Sequence, residues 1–448
     1  MLNKLWPVFT PWGCQAAAMG QSRPMHPKAL LEAASELVLR VLRLDHPADA
    51  VVSHFFREHR NLGPRERATL AETAYAVLRR KPLYEHLARS GAGARERRLA
   101  ILGFAAPRDF LKQALGEHEK AWLDACDAVP PAELPEACRH NLPSWLVDPL
   151  RQQLGDGFEP LAAALLQAAP LDLRVNVLKK KRAEVQAELA QSAIKSEVTP
   201  YSPWGLRVQG KPALNKTEAF TRGVVEVQDE GSQLLALLLD ARRGDMVADF
   251  CAGAGGKTLA IGAAMRSTGR LYAFDVSAHR LDKLGPRLAR SGLSNVHPVA
   301  IAHERDERIK RLAGKMDRVL VDAPCSGLGT LRRNPDLKWR QSPQGVQELV
   351  AKQLAILASS ARLVKPGGRL VYATCSLLTE ENEAVARAFQ AAHADFAPLE
   401  VADLLAGLKV ADAPALCSAE GEAPGRYLRL WPHRHGTDGF FAAVWQRR

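Results

Sequence analysis

From Pro27 to about His140 the apolar residues recur with helical spacing. Leu30, Ala34, Leu37, Val38 and Val41 fall on one stripe, which predicts an amphipathic helix with that face buried. A second helix is expected to open at Gly63-Pro64, because proline suits a first helical turn, and to carry Leu70, Ala74, Val77 and Leu78 inward. It should stop near Lys81-Pro82, since proline disfavours helix in the residue before it. Further short helices run to about Trp122, so this part of the chain reads as all-α. A linker rich in Pro and Ala, Val129 to Pro143, follows.

The period then changes. Leu171, Leu173, Val175 and Val177 alternate with Asp172, Arg174 and Asn176, which predicts a half-buried strand. A helix over Arg182–Gln191 and a strand around Gly205–Val208 complete a small α/β piece. After Val224 strands and helices alternate. A helix over Gly231–Asp240 leads to a strand over Met246–Phe250, a glycine turn and a helix from Thr258. Then come a strand at Leu271–Phe274, a helix at Ala278–Ser291, a strand at Arg318–Val321, a helix near Gln344–Leu363 and a strand at Arg369–Ala373. This alternation predicts a doubly wound parallel sheet with its ligand site at the carboxyl ends of the strands. The expected division is a flexible tail over 1–24, an all-α domain over 25–140, a small α/β linker subdomain over 141–225 and a Rossmann-like catalytic domain over 226–448.

Composition narrows the partners. The 448-residue chain exceeds one ordinary core. It has no apolar run of membrane-spanning length and no ordered signal peptide. The seven cysteines lack a pairing pattern and a zinc spacing, which predicts free thiols in a reducing cytoplasm, no metal and a monomer. The formal net charge of +12 favours a polyanionic partner, nucleic acid first. Between Arg305 and Arg340 ten Lys/Arg stand against five Asp/Glu. Arg57, Arg60, Arg65, Arg67, Arg79, Arg80 and Lys81 enrich the all-α part in the same way.

Three strand ends carry candidate chemistry. The turn Asp249-Phe250-Cys251-Ala252-Gly253-Ala254-Gly255-Gly256-Lys257-Thr258 lets backbone approach a ligand closely, and Asp275, at the end of the next strand, is placed to accept hydrogen bonds from ribose hydroxyls. The turn matches neither a phosphate loop nor the Gly-x-Gly-x-x-Gly of NAD sites. A nucleoside cofactor without pyrophosphate, S-adenosylmethionine, fits better. Asp322-Ala323-Pro324-Cys325 and Thr374-Cys375-Ser376 place two cysteines past the ends of two buried strands. A lone cysteine is more often a small buried hydrophobe, and Cys14, Cys126, Cys138, Cys251 and Cys417 are read so. Two thiols at one strand-end rim predict a covalent step and a second thiol that resolves it.

These residues carry a family resemblance. Cys251–Lys257, Asp322-Ala323-Pro324-Cys325, Arg332-Arg333-Asn334-Pro335-Asp336-Leu337-Lys338-Trp339, Tyr372–Ser376 and Asp438-Gly439-Phe440-Phe441 resemble motifs of the RNA cytosine-5 methyltransferases of the NSUN/RsmB group. Gln228-Asp229-Glu230-Gly231-Ser232 is similar to the motif ahead of their cofactor turn. The resemblance runs from about Leu142 to the end. The all-α part, with Leu62–Arg67, is similar to the NusB-like RNA-binding domain of the bacterial RsmB (Sun/Fmu) branch, which methylates a cytosine of 16S rRNA. The resemblance implies Cys375 as nucleophile, Cys325 in release, Asp322 on the N3 edge of the base and Lys257 beside it. It implies cofactor contacts from Cys251–Lys257, Asp275 and Asp322, with Glu304 or His303 standing where family members carry an adenine-contacting Asp. Arg332, Arg333 and Lys338 are expected to contact RNA phosphates. Two other readings stay open: a tRNA cytosine-5 methyltransferase, separable by substrate, and an inert NusB-type RNA-binding factor, separable by methyl transfer.

Overall fold

The structure is a computed structural model, and it describes residues 25–418 and 425–448. The expected tail and Cys14 lie outside these residues. Two compact units emerge: the described part of Met1–Asp148 together with Asn334–Arg340, and Pro149–Arg333 together with Gln341–Arg448. Among the described residues, no helix is long and apolar enough to cross a membrane.

The first unit is all-α. Its opening helix, Pro27–Val41, buries Leu30, Leu31, Ala34, Leu37, Val38 and Val41, the expected stripe with one added residue. The helix Pro64–Arg79 buries Leu70, Ala74, Val77 and Leu78. It ends as predicted before Pro82, but the chain re-enters a helix at once, Lys81–Ala88, with Pro82 in the first turn where its missing N–H costs nothing. The helix Ala48–Glu58, which buries Val52 and Phe55, adds to the expected set.

The segment Asn334–Arg340 packs into this unit and overturns one expectation. Lys338 is 2% exposed and reaches no solvent. Its ammonium donates to the carbonyl oxygens of Arg79 (2.9 Å) and Asn141 (2.6 Å), which end two helices. Those carbonyls have no intrahelical partner, and a cation at a helix C-terminus also meets the favourable end of the dipole. Trp339 Nε1 donates to Leu78 O (2.7 Å), and Asp336 accepts from the Ala48 N–H (3.2 Å) at the start of the next helix. Lys338 is therefore a structural plug and not a phosphate contact. Burial, and then the charges of Arg79 and Arg80, push its ammonium well below the ordinary lysine range.

The second unit holds two sheets. The smaller is antiparallel, in the order β2 (Ser196–Val198), β3 (Gly205–Val208), β1 (Leu171–Val175), β4 (Val225–Val227). The helix Arg182–Gln191 lies between β1 and β2, with the bounds the sequence predicts. The larger sheet comprises β5 (Met246–Phe250), β6 (Arg270–Asp275), β7 (Val296–Ala300), β8 (Met316–Asp322), β9 (Val364–Thr374), β10 (Phe396–Leu399), β11 (Leu428–Leu430) and β12 (Phe440–Arg447). Its order is β10-β12-β9-β8-β5-β6-β7, with β11 on β12. The five strands β9-β8-β5-β6-β7 are parallel; four of them are as expected and β7 adds to the set, while β10, β11 and β12 form an antiparallel edge that the alternation of strands and helices does not predict. The predicted helix over Ala278–Ser291 is broken into Ala278–Asp282 and Leu284–Ser291. Pro286 lacks the N–H that would bond back to Asp282, and its ring crowds that carbonyl.

Because β5 has β6 on one side and β8 on the other, strand order reverses there. The crevice at the carboxyl ends of β5 and β8 is the topological switch point where such folds bind ligands.

The Lys338 plug generates a prediction. Lys338→Met keeps the stem and removes the ammonium, leaving two buried carbonyls unpaired. Urea unfolding of the full chain should show a loss of about 2–4 kcal/mol. A loss below about 0.5 kcal/mol would return Lys338 to the surface.

Candidate active site

The glycine turn leaves β5 in an unusual backbone. Cys251 (φ 75°), Gly253 (φ 57°) and Gly255 (φ 81°) all occupy the left-handed region. At Gly255 a Cβ would fall 2.2 Å from the Leu284 side chain, so only glycine lets the turn close onto the helix Leu284–Ser291. At Gly253 a Cβ would meet nothing nearer than the Arg280 guanidinium at 3.9 Å, so this face of the turn is open to a ligand. A non-glycine residue held left-handed is strain of the kind that clusters at ligand sites.

The turn is held from several sides. The Ala252 N–H donates to Phe274 O (2.8 Å). Arg287 donates to Ala254 O (2.6 Å) and Arg174 to Gly256 O (3.3 Å). The Asp275 carboxylate, at the end of β6 as predicted, accepts from the Gly253 N–H (2.8 Å) and the Ser277 N–H (2.7 Å). With two further lone-pair positions, an ionised carboxylate so held can still receive ribose hydroxyls. At the end of β5, Asp249 accepts from Thr258 Oγ1 (2.6 Å), while its other oxygen is buried without a hydrogen bond. Burial pushes Asp249 up to about 7, opposed by Thr258 and aided by the charge of Asp322. An open glycine face, a carboxylate with acceptor positions to spare and an unmet buried oxygen fit a nucleoside cofactor bearing an ammonium group.

Beside this turn lie the predicted catalytic residues. Lys257 Nζ donates to Asp322 Oδ2 at 2.7 Å, which joins the turn to the end of β8. Burial pushes the Lys257 ammonium down, but Asp322, Cys375 and Asp249 outweigh it, and the net shift is upward. The lysine therefore stays cationic. Cys325 Sγ and Cys375 Sγ stand 3.4 Å apart. The hydrogen bond with Cys375, then burial, then the charges of Cys375 and Glu381 push the Cys325 thiol well above the ordinary range. Cys325 is thus held protonated.

The remaining expectations divide. Cys251 packs among the buried residues behind the sheet, and burial raises its thiol far above the ordinary range, in keeping with a packing role. Cys126, Cys138 and Cys417 are buried as expected. The Glu304 carboxylate pairs with Arg305 (3.6 Å), and the nearby Asp306 caps the helix Glu307–Lys310. Arg332 and Arg333 do not offer themselves to phosphate. Arg332 is 7% exposed and donates to Gly436 O (3.2 Å) and Asp438 (3.4 Å). Arg333 bridges Asp438 (2.6 Å) and Asp229 (2.8 Å). Burial, and then Asp229, push the Asp438 carboxyl up to about 6, against the pull of the two arginines. Three motifs distant in sequence are tied together by this cluster, so its arginines are spent on the fold.

Sequence reasoning misses one group. Glu381 is fully buried and accepts four hydrogen bonds, from Ser326 N (2.8 Å), Ser326 Oγ (2.5 Å), Gln353 Nε2 (3.0 Å) and Ser376 Oγ. Its only signal is a place in the acidic run Glu380–Glu383, a pattern that predicts no more than a helix start.

Comparison with known proteins agrees with this geometry. Residues 236–446 match the family model described as 16S rRNA methyltransferase RsmB/F, and residues 142–215 match the ferredoxin-like domain described for RsmF/B-like methyltransferases. The chain is 36% identical over 312 residues to a probable ribosomal RNA small subunit methyltransferase B of Synechocystis, covering 68% of this chain and 66% of that one. It is 31% identical over 350 residues to the protein of the same description in Bacillus subtilis, covering 78% of this chain and 76% of that one. A solved methyltransferase homologue from Pyrococcus horikoshii is 29% identical, with a TM-score of 0.61, covering 71% of this chain and all of that one. The match to the first relative thus spans just under two thirds of that protein's length. With the family's motifs gathered at one strand-end rim, and with a relative above 30% identity matched over three quarters of both chains, this protein belongs to the RsmB/F family of 16S rRNA methyltransferases.

Proposed function

We propose that this protein methylates C5 of a cytosine in small-subunit ribosomal RNA through a covalent adduct between Cys375 and C6 of the base. The observation that carries the reading is the pair of thiols 3.4 Å apart beside the Lys257–Asp322 ion pair. C5 of cytosine is a poor nucleophile until a group adds at C6. The Cys375 sulfur donates a lone pair to C6, and the C5=C6 π pair becomes available at C5. S-adenosylmethionine, held by the Cys251–Lys257 turn and Asp275, supplies the electrophilic methyl group. Asp322 faces the N3 edge and protonates or hydrogen-bonds it as negative charge develops there, with Lys257 fixing its orientation. Once Cys375 is a thioether, the charge and hydrogen bond that kept Cys325 protonated are gone. Cys325 gives up its proton to solvent and then takes the C5 proton. The electrons of that C–H bond re-form C5=C6 and expel the Cys375 sulfur.

The target base must be flipped out or single-stranded, since C6 is unreachable in a stack. The all-α unit serves as a NusB-like RNA grip. With Arg332, Arg333 and Lys338 committed to the fold, exposed Arg57, Arg60 and Arg65 are the better phosphate contacts. Free thiols at the site suit the reducing bacterial cytoplasm.

Three measurements test this. Asp275→Ala should weaken S-adenosylmethionine binding by about 1.5–3 kcal/mol in calorimetry, the loss of hydrogen bonds to a charged group. An unchanged affinity would remove Asp275 from the cofactor site. The substitutions Arg57→Ala, Arg60→Ala and Arg65→Ala together should weaken RNA binding and reduce the salt slope by about one for each phosphate no longer neutralised. An unaltered slope would place the RNA elsewhere. The third separates the thiols. Cys375→Ala should abolish both turnover and adduct. Cys325→Ala should accumulate a protein–RNA conjugate that survives denaturing electrophoresis and disappears in the double variant. A conjugate with Cys375→Ala instead would reverse the roles, and full activity in both variants would end the covalent reading.

A further inference from the structure

Each of the two cysteines is followed by a serine, and both serines bind one carboxylate. Ser326 donates to Glu381 through its N–H (2.8 Å) and its hydroxyl (2.5 Å), and Ser376 donates through its hydroxyl. The two hydroxyls also lie 3.2 Å apart. Gln353 completes the arrangement. Its amide donates both to Glu381 (3.0 Å) and to Pro324 O (3.0 Å), one residue before Cys325. The Glu381 backbone is anchored in turn, since Tyr372 donates its hydroxyl to Glu381 O (2.6 Å) from the end of β9. Asn382 receives the Thr374 hydroxyl (2.5 Å) and donates to Ser376 O (3.1 Å).

All four donors to the Glu381 carboxylate are neutral. A buried carboxylate without a cation is costly, and a hydrophobic side chain of similar volume would be expected there if stability alone were at stake. What Glu381 does instead is tie the loop after β8 to the loop after β9 at the residue adjoining each sulfur. The hydrogen bond with Cys375, burial and the charge of Cys375 raise the Cys325 thiol, and the Glu381 carboxylate adds to them.

We propose that Glu381 is a positioning residue of the methyl transfer: its carboxylate clamps Ser326 and Ser376 and thereby fixes the two thiols against each other. The proposal rests on the two-thiol reading above, but it concerns the protein before any RNA is bound and is tested there.

The test is alkylation of the full chain by iodoacetamide across a pH series, with the modified cysteine identified by mass spectrometry. Wild type should react at Cys375 in preference to Cys325. Glu381→Gln keeps the volume, removes the charge and offers an N–H₂ where a hydroxyl needs an acceptor. It should narrow the Cys375-to-Cys325 preference by at least about tenfold, one pKa unit of differential shift, and move Cys325 alkylation to lower pH. It should also lower kcat by about 10–100-fold with KM for S-adenosylmethionine unchanged, the scale of loss from misplacing a reacting group by about an ångström. Ser326→Ala combined with Ser376→Ala retains the charge and removes the clamp. It should lower kcat while Cys325 stays slow to alkylate, and this variant decides the matter if Glu381→Gln does not fold. A wild-type preference and kcat in both variants would overturn the proposal. So would a Glu381→Gln protein that loses activity while its alkylation profile stays that of wild type, which would mean a role away from the thiols. The two-thiol reading fails independently, by the absence of a trapped conjugate in Cys325→Ala.

Discussion

The site depends on the parallel pairing of β8 between β5 and β9. In that register Phe250 stands opposite Val321, and Asp322 stands opposite Ala373. The residues immediately beyond each strand, the glycine turn, the Asp322–Cys325 loop and Thr374-Cys375-Ser376, are thereby delivered to one rim. Side chains alternate along a strand, so a slip of one residue in β8 would turn Asp322 away from Lys257 and move the buried Val319 and Val321 off their face. The buried run Val319-Leu320-Val321 thus sets the position of the reacting groups, although none of its side chains takes part in the chemistry.

Polar groups are unusually dense behind that rim. Glu381, Asn382, Gln353, Thr374 and Ser376 are all fully buried. Each buried polar group costs free energy unless its hydrogen bonds are met, and those around the cysteines meet one another's. Such a network tolerates few alternative arrangements, and this makes it suited to holding two soft, polarisable sulfurs at one separation. The Arg332–Arg333–Asp438–Asp229 cluster performs the same service elsewhere in the unit. It joins the segment after Cys325 to the start of β12 and to the N-terminus of the helix Glu230–Leu238.

Legibility in the sequence follows the period of the hydrophobic pattern and its chemical punctuation. The strand Met246–Phe250 and the helix Arg182–Gln191 are readable because long periodic runs end in glycine or polar residues. Cys325, Cys375 and Asp322 are readable because each sits at or just past a strand end where a buried thiol or charge has little structural reason to be, and Lys257 because it opens the helix after the glycine turn. The edge strands Phe396–Leu399, Leu428–Leu430 and Phe440–Arg447 are not, since their pairing is antiparallel and long-range and leaves no βαβ rhythm. The strand β9 is longer than its pattern predicts. It runs from Val364 through Lys365-Pro366-Gly367-Gly368, whose turn chemistry implies a boundary but which forms a bulge opposite Met316 and Arg318. The basic residues mislead for a different reason. A lysine and two arginines in a polar segment look solvated, and only tertiary structure shows that a helix C-terminus or a buried aspartate has claimed them.

Chemistry requires the two thiols to differ even though they are identical groups 3.4 Å apart. Equal thiols at that distance would share one proton and neither would be committed to attack. Their surroundings distinguish them: the hydrogen bond with Cys375, burial, and the charges of Cys375 and Glu381 raise the Cys325 thiol, while Cys375 is the thiol that the Lys257 ammonium senses. At an effective dielectric of about 20, a unit charge several ångströms away shifts an ionisation by a few kcal/mol, ample to order two otherwise equal acids. In the proposed reaction the asymmetry is also temporary. Bond formation at Cys375 would remove the hydrogen bond that weighs most on Cys325, so the second thiol would ionise only after the first has been consumed. A fixed environment would thereby impose an order on two steps without any movement of the fold.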